Sequence, residues 1–283
     1  MGIQFTNVNF YYNKHEKNYV LKDINLKIES ENEFIALIGK IGSGKSTLAQ
    51  LMNSLLLPSE GYIDIFNYKI NYKTSNKQLF FVKKKVGLVF QFPEYQLFET
   101  NVLKDVMFAP KNFNKSNLEA EKIAIKSLKK VGISKDLFDI SPFKLSGGQK
   151  RKVAIAGILA MEPSILILDE PTRGLDHNSQ KEIMDILKKK NENDKTTIIL
   201  ITHDIDLVAQ YAKRIIFLEK GKIIFDNSKE IFFNKISKLK SFFYNEPQCF
   251  KILKILSQKI GIDFKPKYNF EQLLEYLVEF LTK

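Results

Sequence analysis

Gly39-Lys40-Ile41-Gly42-Ser43-Gly44-Lys45-Ser46 stands between a continuous apolar run at 34–38 and an apolar-periodic stretch over 46–56. It meets every fixed position of G-x-x-x-x-G-K-[ST] in a strand-loop-helix setting, the pattern of a phosphate-binding loop. Glycines let successive backbone N–H groups converge on phosphate oxygens, and the helix N-terminus that follows favours an anion. Lys45 is placed to reach the terminal phosphates and the Ser46 hydroxyl to ligate Mg²⁺. Gly39 to Ser46, with Thr47 after them, are therefore the expected ATP-binding loop. The fold that fits is α/β, a P-loop NTPase.

Downstream, Ile165-Leu166-Ile167-Leu168 runs into Asp169-Glu170. A buried parallel strand delivers side chains at its C-terminal end, where ligands bind in open α/β sheets. Asp169 is expected to hold Mg²⁺ and Glu170 to orient and deprotonate a water. Leu145-Ser146-Gly147-Gly148-Gln149 opens another helical pattern, and a Ser-Gly-Gly turn at a helix start is a second anion nest. The β-branched stretch 196–202 reads as a buried parallel strand ending at His203.

Strands are also expected over 3–10, 20–28, 61–66 and 86–90, the first two joined by a polar loop over 13–18, with a closing hairpin over 214–226. From about 92 to 162 the period changes to three and four, giving helices over 102–108, 117–131 and 149–161; another is expected over 179–190. Two amphipathic helices, 248–260 and 270–281, form a tail with Asn269 as N-cap. The expected domains are 1–231, with a helical subdomain near 92–162, and a small helical domain at 232–283.

Composition excludes several classes. The chain has 283 residues, 44% of them hydrophobic, and one cysteine, so no internal disulfide framework exists. No apolar run approaches the roughly 18 residues of a membrane span. The net charge of +12 suggests an anionic neighbour. Yet only Arg151, Arg173 and Arg214 are arginine, and the wealth of Lys, Asn, Ile and Phe is the mark of AT-rich coding. No nucleic-acid partner is expected.

The order of phosphate loop, Gln91, Leu-Ser-Gly-Gly-Gln, apolar-Asp-Glu, Gly174-Leu175-Asp176 and His203 resembles the nucleotide-binding domain of ABC transporters over about residues 1–230. The resemblance implies two ATP sites at a head-to-tail interface between two ATPase subunits. Ser146, Gly147, Gly148 and Gln149 of one would clamp the γ-phosphate held by Lys45 of the other. It implies that Gln91 senses γ-phosphate, Mg²⁺ and water, that His203 hydrogen-bonds the γ-phosphate, and that Asp176 joins the sites. Tyr12 matches the aromatic that stacks on adenine, with Tyr11 as the alternative.

The stretch Val89-Phe90-Gln91-Phe92-Pro93-Glu94-Tyr95-Gln96-Leu97-Phe98-Glu99 is similar to that of the ATP-binding A subunits of energy-coupling factor transporters, the second isoform more than the first. Val153-Ala154-Ile155-Ala156-Gly157 and Ala109-Pro110-Lys111-Asn112-Phe113 fit that isoform too; Arg173, His177 and Ala109 depart from the family pattern. The resemblance implies a peripheral motor on the cytoplasmic face of the membrane. Its partners would be a second, non-identical A subunit, a transmembrane T subunit and substrate-binding membrane S subunits, and its tail would help the A subunits pair. Arginines of the T subunit are expected to meet Glu94 and Glu99. A non-energy-coupling-factor importer, for metal ions or amino acids, is the alternative.

Overall fold

The computed structural model describes residues 2–16, 18–236 and 246–282; residues 237–245 of the expected C-terminal domain lie outside them. In chain order the elements are β1 (Ile3–Phe10), β2 (Leu21–Ile28), β3 (Phe34–Ile38), α1 (Lys45–Met52), β4 (Glu60–Ile65), β5 (Tyr68–Ile70), α2 (Asn76–Lys85) and β6 (Val86–Val89). Then come α3 (Val102–Asn112), α4 (Asn117–Lys130), α5 (Gly147–Leu159), β7 (Ile165–Asp169), α6 (His177–Asp194), β8 (Thr197–Ile201) and α7 (Ile205–Tyr211). The hairpin β9 (Arg214–Glu219) and β10 (Lys222–Ser228) leads to α8 (Lys229–Ile236), α9 (Gln248–Ile260) and α10 (Phe270–Leu281).

Two sheets divide the strands by sequence pattern. β3 and β8 are buried at every position and β7 at all but its last. Such uniformly apolar strands suit a parallel sheet covered on both faces. They form the centre of a six-stranded sheet in the order β10-β9-β3-β8-β7-β6, parallel except for β10. β2 mixes buried Leu21, Ile24, Leu26 and Ile28 with exposed polar residues, and it belongs to an antiparallel sheet ordered β2-β1-β4-β5. The facing sides of the two sheets, with α1 between them, share one core containing Phe5, Ile24, Leu37, Leu51, Ile167 and Ile199.

The helical region forms a second core on the opposite side of the central sheet, where Val106, Ala124, Leu128, Val153 and Leu159 meet Leu166, Leu168 and Leu200. Two of its helices are capped as their sequences suggest. Ser116 and Glu119 make a reciprocal capping box on α4, and Ser146 and Gln149 make one on α5.

Four elements lie outside the sequence expectations: β5, α2, α7 and α8. β5 has three residues, and α2 buries only Val82, so neither leaves a readable apolar period. α3 also runs past 108 to Asn112, with Pro110 in its last turn. A third core crosses the position between 231 and 232: Phe232, Phe233 and Phe250 pack with Ala36, Ile38, Val208, Ile215 and Phe217. Cys249, buried on α9, joins Leu253 and Leu273 in a small cluster between α9 and α10. Among the described residues no helix is long and apolar enough to cross a membrane.

Candidate functional site

Register brings the expected groups to one edge of the central sheet. Val89 pairs with Leu168, Leu168 with Leu200, Asp169 with Ile201, and Ile201 with Leu37. The segments that leave β6, β3, β7 and β8 at that level carry Gln91, the glycine loop, Glu170 and His203. Gln91 is half-buried beside this edge.

The glycine loop is shaped by its neighbours as well as by its own sequence. Gly39 has φ 154°, and a Cβ there would lie 2.2 Å from the Leu218 carbonyl oxygen. Gly44 caps α1 with φ 104°, leaving the first N–H groups of that helix open toward the loop. Lys40, Ile41 and Gly42 are exposed at the tip, while Thr47 is buried behind it. The Lys45 ammonium donates to the carbonyls of Gly39 at 2.8 Å and Lys40 at 3.0 Å, so it sits over the loop. Burial holds its pKa below the ordinary lysine value, against the opposing pull of Asp169 and Glu170. The Ser43 hydroxyl is buried, with no hydrogen-bond partner among the described residues. An orphaned hydroxyl inside a phosphate-type loop fits a site built around an anion.

Ser46 Oγ donates to Asp169 Oδ2 at 2.6 Å, bridging from α1 to the end of β7. Burial raises the Asp169 pKa; the Ser46 hydrogen bond and the Lys45 charge act the other way. Two hard oxygens in contact beside a cation-rich phosphate loop fit Mg²⁺, which is commonly held by one or two protein oxygens plus phosphates and water. Among the described residues no group of three His, Cys, Asp or Glu could hold a metal alone, so Ser46 and Asp169 would depend on the nucleotide to complete the set.

Glu170 is buried and adopts φ 50°, a left-handed conformation that costs a non-glycine residue of order 1–3 kcal/mol. Its N–H donates to Ile201 O at 2.9 Å, and its carboxylate meets His203 Nδ1 at 2.6 Å. The imidazole side is 65% exposed and the carboxylate side 11%, so the pair opens outward through His203. Tyr12 is exposed, lies edge-on to Phe10, and shares a 3.0 Å hydrogen bond between its hydroxyl and Thr47 Oγ1. That contact puts Tyr12, rather than Tyr11, against the phosphate loop; Tyr11 packs instead on Tyr19 and donates its N–H to Ser59.

Ser146, Gly147, Gly148 and Gln149 open α5, and the hydrogen bonds of Ser146 and Gln149 run within its first turn. No side chain would crowd a Cβ at Gly147, so this turn faces open space. Asp176 caps α6, accepting from the Ser179 N–H at 3.0 Å and hydroxyl at 2.6 Å; these hydrogen bonds hold its carboxyl below the ordinary range.

One expectation is corrected. Glu94 does not stand free for an arginine of a partner: within the chain it takes a two-pronged contact from Arg151, at 2.9 Å to Nη2 and 3.3 Å to Nε. Arg151 is 4% exposed, and the sequence alone presents it only as one of three arginines. The available signal was its rarity, since a chain rich in lysine uses arginine at three places and only arginine offers a planar fork. Glu99 is half-buried, and among the described residues its carboxylate makes no hydrogen bond.

A family model described as ABC transporter matches residues 21–173. The chain is 48% identical over 261 residues to the energy-coupling factor transporter ATP-binding protein EcfA2 of Streptococcus agalactiae, covering 92% of each chain. It is 44% identical over 284 residues to the protein of the same description from Ligilactobacillus salivarius, covering 98% of each. Among solved structures it is similar to cbiO1 from Clostridium perfringens, described as part of the ABC transporter complex cbiONQ, with TM-score 0.74, 36% identity and coverage of 92% of this chain and 95% of that one. The ATP-binding cassette MJ0796, a dimer in a post-hydrolysis state bound to ADP and Pi, matches with TM-score 0.71 and 35% identity over 80% of this chain and 98% of that one.

Proposed function

We propose, starting from the fact that this chain belongs to the ABC transporter family and within it to the energy-coupling factor ATP-binding proteins, that it is a motor that couples ATP hydrolysis to uptake of a micronutrient through membrane partners. Membership makes it an ABC-type ATPase with the P-loop α/β fold. The observation that carries the mechanism is the meeting of two pairs at one sheet edge: Ser46 with Asp169, and Glu170 with His203, both at 2.6 Å.

The glycine loop and Lys45 hold the phosphates of ATP, and Tyr12 stacks on the adenine. Bound between Ser46, Asp169 and the phosphates, with Gln91 beside them, Mg²⁺ would supply charge neutralisation. Glu170 orients a water in line with the γ-phosphate and takes its proton, while His203 holds the Glu170 carboxylate in place and reaches the phosphate. Phosphoryl transfer needs positioning and electrostatic stabilisation more than covalent chemistry, which suits this set.

The exposed Ser146–Gly147–Gly148–Gln149 turn is half of a site. It would close on the γ-phosphate of a second ATPase subunit, most naturally a non-identical A subunit, with Asp176 at the junction. Two features support a pairing role for the 232–283 region: Leu274, Val278 and Leu281 line an exposed face of α10, and α9 is anchored through Phe250. A transmembrane T subunit would dock near Gln91 and Glu99, with S subunits beyond it, placing the chain on the cytoplasmic face of the membrane.

Glu170→Gln tests the reading. It should bind MgATP with unchanged affinity and lose turnover by roughly two to four powers of ten, the usual weight of a general base. Near-normal hydrolysis by that variant would refute the assignment.

A further inference from the structure

We propose that Arg151 is a positioning residue: its buried guanidinium locks the segment after Gln91 to the turn that holds Glu170, so that displacement of the first alters the second. This rests on the ATPase reading above. The guanidinium makes four hydrogen bonds from α5. Nε and Nη2 bind the two oxygens of Glu94 at 3.3 and 2.9 Å, and Nη1 binds the carbonyls of Pro171 at 3.3 Å and Arg173 at 2.6 Å. Glu94 lies in the short helical turn Pro93–Gln96, three residues past Gln91. Pro171 directly follows Glu170, and Arg173 leads into Gly174 and Asp176. One side chain therefore joins three segments, each carrying a residue assigned to the ATP site: Gln91, Glu170 and, at the head of α5, Ser146.

The contact is stiff for physical reasons. Arg151 is 4% exposed and Glu94 18%, so the guanidinium cannot leave the carboxylate without leaving a buried charge uncompensated. A planar fork bound on both prongs fixes direction as well as distance. The turn it grips begins at Glu170, strained at φ 50°, and is closed by a hydrogen bond from the Arg173 N–H to the Glu170 carbonyl at 3.2 Å. The carbonyls of Pro171 and Arg173 in that turn are the ones Arg151 takes. A partner that pulls on Pro93–Gln96 must therefore drag the guanidinium, and with it the backbone that aims the Glu170 carboxylate.

The test uses the full chain in the assembly in which it turns over MgATP, with variants Arg151→Gln, Arg151→Lys, Glu94→Gln, Glu94→Ala and the double Arg151→Gln/Glu94→Ala. A carboxylate displaced by a fraction of an ångström should lower kcat about 10- to 100-fold in Arg151→Gln and Glu94→Ala. KM for ATP should stay within about 3-fold, since the phosphate loop is untouched. Arg151→Lys keeps the charge but loses the fork and should not restore kcat; Glu94→Gln, which still accepts from the fork, should fall between wild type and Glu94→Ala. The double variant should be no slower than the worse single one. Hydrogen exchange at the Arg173 and Leu175 amides should quicken in Glu94→Ala, although Glu94 belongs to another segment.

Wild-type kcat and exchange in Glu94→Ala, multiplicative losses in the double variant, or a kcat that falls only in step with the unfolded fraction would each overturn the proposal. If Arg151→Gln fails to fold, Glu94→Ala decides alone. Absence of hydrolysis by the wild-type assembly, or a normal rate in Glu170→Gln, would instead sink the ATPase reading, and the exchange arm would then decide the positioning role.

Discussion

Replacing Phe250 by alanine asks whether the tail is a separate folding unit or part of the nucleotide-binding body. Phe250 is 2% exposed on α9 and its ring lies 5.4 Å from Phe233, 5.6 Å from Tyr268 and 5.8 Å from Phe264. The same cluster includes Ala36 and Ile38 of β3, the strand that delivers the phosphate loop. Truncating a fully buried phenylalanine costs about 3–5 kcal/mol when the surroundings relax little. In a domain of this size each kcal/mol moves Tm by about 2–4 °C, so the main transition should fall by roughly 6–20 °C. Differential scanning calorimetry, with and without ATP, reads this directly. Leu253→Ala is the control, because Leu253 belongs to the small α9–α10 cluster with Cys249 and Leu273 rather than to the third core. If Phe250→Ala leaves the main transition within about 2 °C and lowers only a separate, smaller one, the third core does not tie the tail to the body and the reasoning fails.

Asp169→Asn should raise the apo Tm at neutral pH. Burial raises this carboxyl's folded pKa, so the native state carries a penalty once pH exceeds the carboxylate range, and the gain should shrink as pH falls through it. The same variant should lose the extra melting stability that MgATP gives the wild type, seen by thermal shift with and without EDTA. Asp194 is held down to about 2 by Lys190 and Lys130; its stabilisation is present above about pH 4 and lost as pH falls toward 2. Because the group is partly exposed, Asp194→Asn should cost less than about 1 kcal/mol, with the acid limb of a pH–Tm curve flattened over that window. Gly39→Ala should abolish nucleotide binding and lower Tm sharply, since its Cβ meets the Leu218 carbonyl at 2.2 Å; Gly42→Ala, with no atom within 4 Å, should keep the larger share of stability. Equal Tm losses in the two would contradict the crowding argument.

What the sequence could reveal depended on whether the physics was local. The glycine loop was readable because phosphate binding by backbone N–H groups needs glycines and a helix start within eight residues. The central strands were readable because burial on both faces demands uninterrupted apolar runs, and β3, β7 and β8 have them. The α2 helix left no trace, since a helix that buries one residue needs no period. The partnership of Arg151 with Glu94 was illegible for a different reason. The residues are 57 apart, and each has a bland local explanation, one as a helix charge and the other as a surface acid. Only the packing of α5 against the Pro93–Gln96 turn makes them face each other, with Arg151 buried and Glu94 half-buried. Once buried, a charge must find its partner or be removed, so an arginine at 4% exposure implies an acid nearby even before that acid is known. The same logic turns the Glu94 expectation around. A carboxylate that the chain already engages offers a partner's arginine little new attraction, whereas Glu99, half-buried and without a hydrogen bond to its carboxylate among the described residues, is the acid left to meet one. Charge reversal at Glu99 should therefore weaken co-purification of the membrane partner, while Glu94→Gln should slow hydrolysis without releasing it. Release by Glu94→Gln and retention by the Glu99 variant would reverse that division of labour.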